Sequence, residues 1–175
     1  LQRELDAASQ IGQGSAVALK PPLLAELVRS FEPELTDQPE VEAMVRDTIG
    51  RTYQRLGLYA EAEDHLRAAL AIRLRLYGHE HLDVAASLHN LADLRKDRTQ
   101  FEEAAALFRD ALAIRQKLLG DEHVDVAATV YDLAETLQSA GHLAECEPLH
   151  RQALALFRKL RGEEHPDVAR CLTGL

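Results

Sequence analysis

The sequence predicts an all-α solenoid of antiparallel helix pairs, and three observations carry that expectation. The stretch ALAIRLRLYGHEHLDVA, from Ala69 to Ala85, returns as ALAIRQKLLGDEHVDVA from Ala111 and as ALALFRKLRGEEHPDVA from Ala153. The spacing is 42 residues each time, an internal repeat without slip. Ala, Leu, Glu and Arg dominate while aromatics make up 5%, a helix-forming palette without the β-branched and aromatic enrichment of a sheet. Each copy has the form of a joint between two helices, and such a unit buries its apolar face only by stacking on its neighbours.

Within the joint, Leu112, Ile114, Leu118 and Leu119 recur at helical spacing before the glycine. Arg73, Arg75, Arg115, Lys117, Arg158 and Lys159 crowd the last turns, where cations complement the negative end of the helix dipole. Gly78, Gly120 and Gly162 stand where a left-handed cap ends the helix. Pro166 suits a first helical position, and Asp83, Asp125 and Asp167 place carboxylates in the first turn of the next helix.

In chain order, residues 1–36 are expected to form a helical capping and linker segment. Leu1 to Ser9 has the character of a helix end, IGQGS is a linker, and Pro21 and Pro22 open a helix with Leu23, Leu24, Leu27, Val28 and Phe31 on one stripe. Repeats follow at 37–78, 79–120 and 121–162, and a fourth begins at 163 and runs to 175. In the first, Gly50 and Ala62 mark a close helix approach, with Ile49, Tyr53 and Leu66 filling the space around it. The second has Arg95 and Thr99 where the first has Tyr53 and Gly57, which predicts a looser turn. The start of the fourth puts Leu172 and Leu175 on its inward stripe, and the exposed apolar surface offers a route to self-association.

Composition excludes several functions. Hydrophobic residues make up 46% and charged ones 28%, ordinary for a globular fold, and a net charge of −9 argues against a nucleic-acid partner. Cys146 and Cys171 do not form a disulfide framework, and no apolar run approaches the ~20 residues of a membrane span. These features point to the cytoplasm, with no membrane contact and no cofactor.

The spacing of Ile49, Gly50, Tyr53, Ala62, Leu66 and Ala69, with LHNLAD, FEEAAALFRDALAIRQKLLG and EEHPDVA, resembles the kinesin-light-chain type of tetratricopeptide repeat. The resemblance implies a right-handed superhelix whose first helices line a concave groove for a protein or peptide. Residues 35–66, with the segment before them, are similar to the region joining some bacterial serine/threonine kinases to C-terminal repeats. That similarity implies a larger signalling protein. No kinase motif is present, so nothing catalytic carries over.

The resemblance places Arg51, Arg55, His89, Asn90, Asp93, Lys96, Tyr131, Asp132 and Glu135 on the groove. In the family an asparagine at the Asn90 position bonds a bound peptide's backbone. Arg51 and Arg55 make one end basic, whereas Asp93, Asp97, Asp132 and Glu135 outnumber Lys96 further along, which favours a basic segment there. The alternative function is a spacer or oligomerisation scaffold without a groove ligand. An enzyme is not expected: Cys146 and His150 are one helical turn apart, but both occupy inward positions, where a packed small residue beside a core histidine is the simpler reading.

His79, His81 and Asp83 have a spacing that metal ligands use, but His81 recurs as His123 and His165 at the helix start, where the ring can bond backbone groups. No metal is therefore expected. Treatment with a strong chelator should leave helix content unchanged by circular dichroism; zinc retained through purification, with helix lost on its removal, would contradict this.

Overall fold

The computed structural model describes residues 37–174, so the expected capping segment over 1–36 and Leu175 lie outside the described residues. Seven helices and no strand occur among them. In order they are α1 (Pro39–Arg55), α2 (Tyr59–Tyr77), α3 (Leu82–Asp97), α4 (Phe101–Leu119), α5 (Val124–Ser139), α6 (Leu143–Arg161) and α7 (Pro166–Thr173). They stack as antiparallel pairs into an all-α superhelix. No described helix is long and apolar enough to cross a membrane.

Each joint between pairs is built from local chemistry. Gly78, Gly120 and Gly162 have φ of 74°, 81° and 85° with ψ near 180°. The positive φ agrees with the expected cap, but the extended ψ lies beyond the left-handed helical well, in a region that is nearly exclusive to glycine. Three residues on, His81, His123 and His165 cap the next helix: each Nδ1 accepts the N–H of Asp83, Asp125 or Asp167, at 3.2, 3.1 and 3.2 Å. The recurring histidine thus takes the place of the usual serine or aspartate at this position.

Inside each pair the helices approach closely. A Cβ on Gly50 would lie 2.7 Å from Leu66 Cγ, so only glycine fits against the leucine there. Ala92 and Ala134 hold the corresponding places in the next pairs, fully buried against repeats that carry Phe108 and His150 at the leucine position. The core continues through Ala104, Phe108, Leu133, Leu137 and Cys146, and then through Val126, Val130, Ala153, Phe157, Val168 and Cys171. In α7 the buried residues are Val168 and Cys171, whereas Leu172 is 52% exposed. The inward stripe of this helix therefore lies one residue earlier than expected for Leu172.

The turn within the second pair is not looser than its sisters. Thr99 N–H donates to the Lys96 carbonyl at 2.9 Å and Gln100 N–H to Arg95 at 2.9 Å, repeating the bonds of Gly57 and Leu58 and of Gly141 and His142. Thr99 reaches this geometry at φ 59°, a strained value for a β-branched residue. Arg95 supplies the missing cohesion. Its guanidinium grips Glu63 of α2 at 2.5 and 3.1 Å and also bonds Gln100 and Glu103. The hydrogen bond from Arg95 holds the Glu63 carboxyl below its ordinary pKa.

Thr99→Gly should therefore stabilise the protein by about 0.5–1 kcal/mol, because relief of left-handed strain exceeds the extra entropy of a glycine in the unfolded chain. Urea unfolding of the two proteins checks it, and a loss of stability would show that the threonine is not strained.

Candidate functional site

The first helices α1, α3 and α5 are tied edge to edge by bonds between residues 43 positions apart. Asn90 donates to both oxygens of Asp47, at 2.9 and 3.0 Å. One repeat further, His89 Nε2 lies 3.3 Å from Asp132, and Gln54 donates to Asp97 at 2.7 Å. Lys96 lies between Asp93 at 3.8 Å and Glu135 at 3.7 Å. The structure brings six of the nine candidate groove residues together here, while Arg51 and Arg55 stand exposed on α1 and Tyr131 is buried in the core.

Two candidates differ in kind from the expectation. The Asn90 amide, read as a donor for a ligand backbone, is already engaged by the buried Asp47 carboxylate. Tyr131, read as an exposed amphipathic anchor, is 5% exposed and belongs to the core around Phe157 and Cys171. Its hydroxyl donates to Glu135 at 2.6 Å, and the Arg170 guanidinium lies 4.5 Å from its ring centre. Burial, reinforced by Glu135, pushes the Tyr131 phenol up to about 12.

The arginines near the ends of the second helices also act differently from simple dipole partners. Arg73 turns away from the end of α2 and bonds Asp47 of α1 at 3.2 Å, the Ser87 hydroxyl of α3 at 2.6 Å and the Asp83 carbonyl at 3.4 Å. Arg115 repeats this from α4, reaching His89 Nδ1 at 3.2 Å, the Asp125 carbonyl at 3.4 Å and the Thr129 hydroxyl. In the third repeat Phe157 takes this place and packs with Tyr131 and Cys171. Lys117 and Lys159 reach sideways too, each 2.5 Å from the glutamate of the preceding joint, Glu80 or Glu122.

Electrostatics distinguish the α3–α5 part of the wall. Burial pushes the Asp132 carboxyl up to about 7, with Asp93 adding to the shift, and raises Asp93 as well. Burial lowers the His89 imidazole to about 4, helped by Arg115 and Lys96. Among the described residues no three His, Cys, Asp or Glu side chains are grouped to hold a metal ion. Cys146 and His150 are both buried, and both ring nitrogens of His150 lack a hydrogen-bond partner.

A recess that none of the groove candidates lines was not anticipated. It measures about 430 Å³ and lies between α2 and α4, with Leu70, Leu74, Ile114 and, from α3, Val84 and Leu88 around it. Its one visible signal in the sequence is Leu74, where the other repeats have Gln116 and Arg158.

The model of the tetratricopeptide repeat matches residues 41–117 and 125–175, and the chain belongs to that family. Among solved structures, BtubC (BKLC) from P. vanneervenii superposes with a TM-score of 0.76 at 24% identity, covering 88% of this chain and 61% of that one. The nearly identical TPR-like repeats of a kinesin-light-chain-type protein from Podosopora anserina give 0.70 at 28% identity, with 87% and 76% covered. A substituted form of the same repeats gives 0.70 at 27%. This chain is thus of the kinesin-light-chain type of tetratricopeptide repeat, and it spans less than two thirds of the BtubC chain. No curated protein sequence matches it.

Asn90→Ala should lower stability by about 1–2 kcal/mol, because it leaves the Asp47 carboxylate short of a donor at the α1–α3 seam. Denaturant unfolding measures it; an unchanged midpoint would mean that the amide is dispensable to the fold and free to serve a ligand.

Proposed function

We propose that this interaction module holds an extended or helical segment of a partner protein along the wall of α1, α3 and α5. The observation that carries the reading is the charge distribution. Arg51 and Arg55 are exposed one helical turn apart on α1, and neither has an ion pair or hydrogen bond among the described residues. Further along, Asp93, Asp97, Asp132 and Glu135 lie beside Lys96, with Arg115 and Arg170 also reaching Asp132, so four carboxyl groups meet three cations. A segment with an acidic residue toward α1 and basic residues toward α3 and α5 complements both ends, and such complementarity selects partners more than it adds affinity.

The similarity of residues 35–66 to segments attached to kinases supports a place in a larger cytoplasmic signalling protein. A second reading, a scaffold without a groove ligand, is favoured by one observation: the Asn90 amide and the Asp47 carboxylate already satisfy one another.

Peptides of equal length and opposite charge polarity separate the readings. The acidic-then-basic peptide should bind better than its reverse, and Arg51→Glu with Arg55→Glu, exposed and without an ion pair or hydrogen bond, should weaken it at least tenfold while the melting temperature holds. Equal binding of both peptides, or none, would favour the scaffold.

A further inference from the structure

The seams between successive first helices use three different chemistries at equivalent positions. Asp47, His89 and Tyr131 are 42 residues apart and meet Arg73, Arg115 and Phe157 respectively. At the middle seam the protonation state follows from the partners. A guanidinium can only donate, so His89 Nδ1 accepts from Arg115 and the ring proton resides on Nε2, which faces Asp132 at 3.3 Å and Asp93 at 3.6 Å. Phe108 closes the ring in edge-on, with centroids 5.0 Å apart. His89 is thus held neutral, with Arg115 bonded at Nδ1 and the two carboxylates beside Nε2.

Every element packed against Asp132 brings a charge to it. From α3 come His89, Asp93 and Lys96, from α5 Glu135, from α7 Arg170, and Arg115 of α4 feels it in return. The ionised carboxylate attracts Lys96 and Arg170, but it stands beside Asp93 and Glu135. The neutral acid removes that repulsion, and because burial favours the neutral form the protonated seam is the tighter one. We propose that the α3–α5 seam is a proton-operated joint, in which Asp132 gains and loses its proton against a fixed, neutral His89 and so changes the grip of the third repeat on the second. The joint works whether or not the groove holds a ligand.

The linkage signs are opposite for the two groups. Asp132 is raised from 3.8 to about 7, so the stability it contributes is complete below 3.8 and is lost as pH rises through 7. His89 is lowered from 6.5 to about 4, so its contribution is present above 6.5 and is lost as pH falls through 4. In the wild type these slopes oppose each other over the window they share, and removing either group exposes the other.

The test uses the full chain, labelled for NMR and followed from pH 5 to 9. The Asp132 carboxyl carbon should titrate with a midpoint near 7, and amide signals of both α3 and α5 should move with the same midpoint; in Asp132→Asn that movement should vanish. A carboxyl midpoint near the ordinary aspartate value, or amide shifts confined to α5, would overturn the proposal. Melting temperatures provide an independent arm. Asp132→Asn should melt lower as pH falls from 7 to 4.5, and His89→Gln should melt lower as pH rises across that range, whereas parallel profiles for the variants would also overturn it.

Discussion

The arginine that leaves the second helix of a pair and closes three helices at once is the contact on which the stacking turns. Arg73 ties α1, α2 and α3 together through a carboxylate, a hydroxyl and the first-turn carbonyl of Asp83. Arg115 does the same for α3, α4 and α5. An arginine suits this work because its long side chain brings one guanidinium nitrogen, Nη1, to three acceptors at once, one on the preceding first helix and two on the next. The carbonyl it reaches belongs to the start of the next repeat, so the same contact sets where that repeat sits. The third repeat reaches the same end with Phe157, Tyr131 and Cys171, and Arg170 lies over the tyrosine ring. Along the chain, the seam changes from ionic to aromatic.

The wall that results is polar yet largely self-satisfied. Asn90 serves Asp47, Arg115 holds His89, and Lys96 is shared between Asp93 and Glu135. Under the proposed reading a partner would meet side chains already held in place, which lowers the entropy lost on binding but leaves fewer open donors. The freely presented groups are Arg51 and Arg55 at one end, with the partly exposed carboxylates at the other. This division supports recognition by charge distribution more than by a backbone clamp.

The joints and helices were legible because their causes are local. A glycine at the end of a helix, a histidine two residues before an aspartate at the start of the next, and a 42-residue recurrence act within a few residues of backbone. Pro166, the first-turn aspartates and the apolar spacing likewise need no tertiary partner to be read. The nine groove candidates were placed by resemblance; six of them meet along α1, α3 and α5, and Tyr131 lies in the core. Thr99 shows the limit of local reading: the threonine suggested a loose turn, but packing around Arg95 and Glu63 imposes the same bonds that glycine makes elsewhere.

What the sequence by itself determined is thus the repeat, its helices and their caps, since each follows from backbone preferences and periodic burial. Only the tertiary structure decided that Arg73 and Arg115 turn inward, that the Asn90 amide is spent on Asp47, that Tyr131 is buried, and that His89 lies between Arg115 and Asp132. Those outcomes join residues 26 and 43 positions apart. Such pairs meet only when helices stack at a particular distance and rotation, and burial at that meeting point sets the charge of Asp132 and His89.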